Sequence, residues 1–437
     1  MPPPGGFFFP TDSLPEFLMT QTHCGMDFGT SNSTVAVAGH KSAPRLLALE
    51  DGKPTIPSAI FFSFEEDTVF FGRQAVSEYV TGADGRLMRS LKSILGTSLF
   101  DDTTRIKRRA MPFSEILGSF VGALKQRAEA ALGAGIDAVS VGRPVQFVDG
   151  DAAADAEAQR QLESAVRAQG FRHISFQFEP IAAALDYEQQ VSAEELALVI
   201  DIGGGTSDFS VIRVSPQRAR AADRKADILS TAGVHIGGTD FDRMLSLLKI
   251  MPRLGYRTLT RDGKRPLPSG PYYDFATWHR INRVYNQKTL LELRSTRQEA
   301  AFPERVVEFI GLVEERQGHR LAGRVEEAKI ELSEMLSTHF SFESRGVAIA
   351  AEISRADLTR ALEMAVASIA NTIDGALRAA GVSHAAIQTL ILTGGSTQLP
   401  AIASMLGELF PDAKAVATDA FGSVGLGLAL DAARRFA

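Results

Sequence analysis

Cysteine is almost absent from this sequence: Cys24 is the single thiol in 437 residues. One cysteine excludes an intrachain disulfide and fits a reducing compartment. It stands at the start of an apolar strand, where a buried structural thiol is expected rather than a nucleophile. Long apolar runs are missing too, none approaching the roughly eighteen residues of a membrane span. The opening MPPPGGFFFPTDSLPEFLMT has no basic n-region and no continuous apolar h-region, so it does not resemble a secretory signal. Residues 1–22 read as a flexible lead, with Met19 as an alternative initiator to Met1. A cytoplasmic protein with no membrane partner is expected.

Positive charge is not in excess. Lys plus Arg number 46 against 52 Asp plus Glu, a formal charge of −6, which argues against a nucleic-acid surface. The short basic run of Arg105, Lys107, Arg108 and Arg109 reads as a solvated face. Structural zinc lacks its ligands, because no cysteine pairs exist and His23, His235 and His279 do not fall at ligand spacing. There is no GxxxxGK[ST] loop, no GxGxxG opening a Rossmann unit, and no nucleophile-elbow serine.

What the chain does have is Leu196 to Val214, LALVIDIGGGTSDFSVIRV. An aliphatic run ends in Asp201, three glycines follow, and Thr206, Ser207 and Asp208 open a second β-branched run. A buried strand, a turn of exposed backbone N–H groups and a returning strand would hold a phosphate chain at the bend. Three ordered glycines cost more backbone entropy than a plain hairpin turn requires. Gly25 to Ala38, GMDFGTSNSTVAVA, repeats the pattern, with Asp27 standing 174 positions before Asp201. Two similar lobes facing each other, each offering one hairpin loop to a cleft, explain such a repeat.

The carboxylates at these hairpin mouths, Asp27, Asp201 and Asp208, suit a magnesium ion that keeps most of its waters. Hydroxyls of Thr30, Ser31 and Thr206, with the loop amides, suit phosphate oxygens. Glu179, at a strand end just before Pro180, is a candidate to orient water or a metal hydrate, with an ordinary helix entry as the alternative. Gly394 and Gly395 follow an apolar strand, so a flat ring could approach the backbone there, with Ser396 as N-cap or base contact.

Elsewhere, helical text runs from Gln74 to Ile94, Glu115 to Leu132, Asp151 to Gln169 and Ile181 to Gln190, with strands at Ala138 to Val141 and Phe171 to Phe178. Arg218 to Asp227 is charged and reads as an exposed connection. Asp240 is placed to cap a helix running to Lys249. Pro252 to Thr277 has little periodicity and reads as a long connector or insertion. Trp278 to Leu336 is largely helical, Val347 to Ile353 is a strand, and Leu358 to Ala380 is a long helix before the strand Thr389 to Leu392. Helices from Leu399 to Phe410 and Phe421 to Arg435 close the series. Strands alternating with helices argue for sheets covered by helices.

In this set of motifs the chain resembles the actin-like ATPase superfamily, and within it the nucleotide-binding domain of the heat-shock protein 70 family. DFGTSNS at Asp27 to Ser33 looks like the first phosphate motif and DIGGGTSD at Asp201 to Asp208 like the second. FEPIAAAL from Phe178 is similar to the connecting segment, GGTDFD from Gly237 to the glycine-aspartate loop, and LTGGSTQLP from Leu392 to the adenosine motif. The resemblance covers about Gly25 to Leu430. It implies an actin-like α/β fold: two lobes, each on a ribonuclease-H-like mixed sheet flanked by helices, with nucleotide in the cleft between them. Lobe I would take residues 23–195, lobe II 196–418, and residues 419–437 a helix returning to lobe I.

The same resemblance implies ATP or ADP with magnesium as ligands. Carried over, Lys92, Glu179, Asp201, Thr206 and Asp208 would be catalytic, and Asp27, Asp201 and Asp208 would hold the metal, mostly through water. Asp27, Gly29, Thr30, Ser31, Asn32, Gly203, Gly204, Gly205 and Thr206 would surround phosphates. Gly237, Gly238, Glu326, Lys329, Ser333, Gly394, Gly395, Ser396 and Asp419 would surround the nucleoside. Three departures stand out: Ile330 where the family has a stacking arginine, Gln398 in place of another arginine, and VGRPVQF near Gly142, which displaces a signalling proline to Pro144 or removes the match.

A slow ATPase acting as a nucleotide-dependent, chaperone-like switch is therefore expected. A nucleotide-sensing module with negligible turnover, a sugar kinase and an actin-like filament protein are the alternatives. No peptide-binding domain is recognisable, so the chain looks like stand-alone relatives and no generic unfolded-peptide site is expected. A protein partner would then bind according to nucleotide state. Tyr272, Tyr273, Phe275 and Trp278 are candidate apolar anchors for it, or else packing within an ordered insertion.

Overall fold

The apolar positions from Ala197 to Ile200 are buried without interruption, as a strand covered on both faces requires. That strand, Glu195–Ile202, is the centre of one mixed sheet. The computed structural model describes residues 23–39, 43–148, 150–221, 223–417 and 422–436. The lead 1–22 with its two candidate start methionines, and Asp419, lie outside them.

Ser207–Val214 pairs antiparallel to the central strand and Ile228–Val234 extends that side. Thr389–Thr393 and then Lys414–Ala417 run parallel on the other. The other sheet repeats this order around His23–Phe28. Asn32–Ala38 and Arg45–Leu46 are antiparallel on one side, while Ala138–Arg143 and His173–Phe178 are parallel on the other. Thr55–Pro57 also pairs with Asn32–Ala38. Parallel neighbours need a crossover helix. Ala152–Ala168 serves Ala138–Arg143 and His173–Phe178, and Pro400–Leu409 serves the last two strands. The fold is the actin-like α/β arrangement of two lobes.

Each sheet has its own buried core. A third cluster joins the helix Glu179–Glu188, through Ile181, Ala184 and Tyr187, to Ala197, Val199 and Ile391 of the second sheet and to Val424 and Leu428. The last two belong to the helix Ser423–Phe436, which lies on His23–Phe28. The approach is so close that a Cβ on Gly427 would stand 1.8 Å from the Ala182 carbonyl oxygen. Asp431 anchors this helix, accepting from Ser140 Oγ at 2.7 Å and from Gln177 Nε2 at 2.9 Å.

Several expectations need correction. The helix expected through Ile94 stops at Thr81, because Gly82 takes a left-handed φ of 88°, and Gly85–Arg89 becomes a strand. Ser337–Ser344, for which no element is expected after the helical text ending at Leu336, is an alternating strand that pairs with Val347–Ser354. Arg218 to Asp227 is not a wholly exposed connection: Arg224 is 2% exposed and its guanidinium donates to Glu188 at 2.7 and 2.9 Å and to Asp227. Charges that look solvated in sequence here satisfy one another. The insertion is ordered and turned inward. Its helix Gly270–Ala276 buries Tyr272 and Phe275, with the Tyr272 ring stacked on Phe309 at 4.3 Å. Neither ring is available as an anchor.

Candidate functional site

The strand pairing fixes which side chains reach the cleft. Asp27 pairs with Thr34 and Asp201 with Asp208, so each acid sits at the mouth of its hairpin, ahead of Gly29–Ser31 and Gly203–Thr206. Parallel pairing brings Gly142 and Glu179 to the same end of the first sheet and Thr393 beside Asp201 in the second. Five strands from two sheets therefore end at one place.

The two loops meet there. A Cβ on Gly204 would come within 2.4 Å of Ser31 Oγ. The Gly238 and Thr239 amides donate to the carbonyls of Gly203 and Gly204 at 2.9 and 2.8 Å. In a trans peptide the carbonyl and the next amide point in opposite directions, so the N–H groups of Gly204 and Gly205 face away from the helix Gly238–Leu245. A Cβ on Gly237 would stand 2.6 Å from the Gly204 carbonyl carbon, which only glycine tolerates. In the first loop, Ser58 Oγ donates to the Gly29 carbonyl at 2.7 Å and contacts Ser33 Oγ at 2.9 Å. Ser58 was missed in sequence; a lone serine between two short apolar strands carries no signal.

The charges at the strand ends do not cancel. Lys92 donates to Glu179. Burial works against the Lys92 ammonium, yet Glu179, Asp27 and Asp201 together hold its pKa above the ordinary value. Burial, and then Glu179, push the Asp27 carboxyl up to about 7 against the pull of Lys92. Burial, with Asp208, Glu179 and Asp27, pushes Asp201 up to about 8. Carboxylates outnumber the one ammonium, so the place suits a further cation. The donors are hard oxygens, but among the described residues no three His, Cys, Asp or Glu side chains stand close enough to grip a metal directly. That donor set fits magnesium held through its waters. A cavity of about 420 Å³ is lined by Glu179, Asp201, Thr206 and Asp208 together with Gln146 and His235.

Glu326, Lys329 and Ser333 lie on the helix Gly318–Glu334 at spacings that put them on one face. Lys329 Nζ is 2.8 Å from Asp242 Oδ1 and donates to the Gly238 carbonyl at 3.2 Å. Burial first, with Glu326 adding, raises Asp242 to about 7 against Lys329. Sequence reasoning quoted Asp242 within GGTDFD without a role. Ser396 Oγ would lie 3.0 Å from a Cβ on Gly238, which brings the Gly394–Ser396 turn to the same wall. Ser396 caps no helix: Leu399 is the N-cap of Pro400–Leu409. Asp240 likewise sits inside its helix, accepting from the Gly237 amide at 3.1 Å, while Gly237 is the N-cap. Ile330, 58% exposed, follows Lys329 on the helix, and Gln398 is exposed. Thr30 and Asn32 flank Ser31 in the first loop, and Gly395 lies between Gly394 and Ser396. Asp419 is outside the described residues.

A family model described as Hsp70 protein matches residues 23–115, 103–249 and 310–433. Among curated proteins, the chaperone protein DnaK of Ureaplasma urealyticum is 28% identical over 397 residues, 88% of this chain and 54% of the relative. That of Thermosipho melanesiensis is 27% identical over 411 residues, 94% of this chain and 58% of the relative. The chain thus spans about half the length of the curated relatives it matches. Residues 250–309 fall between the matched stretches.

Proposed function

The chain belongs to the Hsp70 family, and from that premise we propose that it binds ATP with magnesium between its two hairpins and hydrolyses it slowly as a chaperone-like conformational switch in the cytoplasm. The observation that carries this reading is the meeting of two glycine loops over an acidic, lysine-bearing floor. Asp27, Asp201 and Asp208 would hold the metal hydrate, and the bound ion would supply positive charge to the phosphates. Gly204 and Gly205 present amides to phosphate oxygens, with Thr30, Ser31, Asn32 and Thr206 beside them. Lys92 places an ammonium where charge develops on the γ-phosphoryl oxygens, and Glu179, bonded to it, is placed to orient the attacking water. Glu326, Lys329, Ser333, Gly394, Gly395 and Ser396 would hold the nucleoside. Ile330 offers that wall an aliphatic face instead of a guanidinium, so weaker preference for adenine is expected. A protein partner would bind differently in ATP and ADP states.

Calorimetry tests the reading: ATP and ADP should compete for one site per chain, and EDTA should weaken both. Absence of heat together with absence of competition sinks it. Binding without phosphate release in single-turnover assays would leave a nucleotide sensor.

A further inference from the structure

The segment that the family model leaves unmatched, residues 250–309, is bonded to the second glycine loop. Its helix Gly270–Ala276 turns Tyr272 and Phe275 into the core. Tyr273, between them in sequence, is half-buried and meets two guanidinium groups instead. Arg243 donates to its hydroxyl, with Cζ 4.9 Å from the ring centroid. Arg280, paired with Asp274 at 2.6 Å, has its Cζ 5.1 Å from the same centroid.

Arg243 belongs to the helix Gly238–Leu245, and its other amino group donates to Asp240 Oδ1 at 2.8 Å. Asp240 Oδ2 accepts in turn from the Gly237 amide at 3.1 Å. One carboxylate therefore ties the guanidinium to the start of the turn that grips the glycine loop. In that turn the Gly238 amide donates to the Gly203 carbonyl, and the amide and hydroxyl of Thr239 both donate to the Gly204 carbonyl, at 2.8 and 2.7 Å. A guanidinium is a rigid fork, so it can hold Tyr273 and Asp240 together in one geometry. A lysine at the same place would be a point charge without that fork.

We propose that Tyr273 and Arg243 are positioning residues for the phosphate chain: acting through Asp240, they lock the Gly237 turn onto Gly203 and Gly204, so that the insertion sets how well the second hairpin holds phosphates. The brace itself stands without the nucleotide reading; its effect on phosphate binding rests on that reading.

The first measurement is hydrogen exchange of the full chain without nucleotide. In Arg243→Ala and Tyr273→Phe the amides of Gly238 and Thr239 should exchange about fivefold and about twofold faster than in the parent. Amides of the strand Ser337–Ser344, in the same lobe, should keep their parent rates, which a general loss of stability would not allow. Arg294→Ala, which removes an exposed ion pair with Glu314 elsewhere in the insertion, should change neither region. The second measurement is calorimetry with ATP and with adenosine, each in magnesium buffer. Affinity for ATP should fall about fivefold in Arg243→Ala and about twofold in Tyr273→Phe, with adenosine affinity unchanged in both. The double variant should bind ATP no more weakly than Arg243→Ala, because Tyr273 acts through Arg243. Arg243→Lys should restore only part of the loss. Tyr273→Phe removes one hydroxyl, so it carries the test even if Arg243→Ala folds poorly. Unchanged exchange at Gly238 and Thr239 in both variants overturns the brace. Faster exchange with unchanged ATP affinity, or with ATP and adenosine weakened alike, overturns its role in holding phosphates. If the parent binds neither ligand, the nucleotide reading and that role fall together, while the exchange result still decides whether the insertion braces the loop.

Discussion

Asp201 has an ordinary carboxyl value of 3.8 and is pushed up to about 8, first by burial and then by the neighbouring acids. The folded chain therefore holds a proton that the unfolded chain has released across that interval. More protons bound in the folded state means stability falls as pH rises. The metal-free protein should accordingly lose thermal stability between about pH 4 and pH 8. Asp201→Asn should flatten this slope and raise the melting temperature at pH 8, while abolishing stabilisation by magnesium and ADP. Melting curves across that range check both; a slope unchanged by the substitution would remove Asp201 as its source. Lys92 makes a different prediction. Its ammonium is bonded to Glu179 on the floor, so Lys92→Ala should lower single-turnover phosphate release by about a hundredfold with a much smaller change in ATP affinity. Equal losses in both would assign Lys92 to ground-state binding. At this scale the sequence was most legible where several glycines and acids occur together. It was least legible at Ser58 and Asp242, whose parts depend on partners 29 residues away at Gly29 and 87 positions on at Lys329.

Among elements, the strand-turn-strand hairpins could be read because their pattern is local. Ser337–Ser344 could not, although it alternates buried and exposed along its length, because it follows directly on helical text and its partner is needed to settle the period. The same limit applies to Arg218 to Asp227, whose counter-charge Glu188 lies on another helix. Arg224→Ala would leave the Glu188 carboxylate buried without its guanidinium. The expected cost is about 3 to 5 kcal/mol in chemical denaturation. A loss below about 0.5 kcal/mol would instead match an exposed pair. The insertion carries a correction to any deletion experiment: removing residues 252–277 would take Tyr272 and Phe275 out of the core, so it should unfold lobe II rather than merely erase a surface. Limited proteolysis of the deleted protein checks this.

For the whole molecule, the repeated order of the two sheets was foreseeable from Asp27 and Asp201, and the resemblance implied a last helix returning to lobe I, whereas the residues through which that helix joins the sheets were not foreseeable. The buried cluster of Ile181, Ala184, Val424 and Leu428 is contributed by segments about 240 residues apart, and no local pattern announces it. Gly427→Ala tests this join. The added methyl meets the Ala182 carbonyl at 1.8 Å, so the helix must shift, and the variant should melt several degrees lower and bind nucleotide more weakly. Normal melting would mean the helix yields without disturbing either lobe.

The helix Ser423–Phe436 also has a consequence in time. It covers the strand His23–Phe28, which leaves the ribosome some 400 residues earlier. At about 5 to 20 residues per second, that strand waits on the order of tens of seconds for its cover, with Gly25 and its neighbours uncovered during elongation. Nascent chains halted before residue 423 should therefore be cut readily within the first sheet, and emergence of residues 423–436 should be the event that closes it.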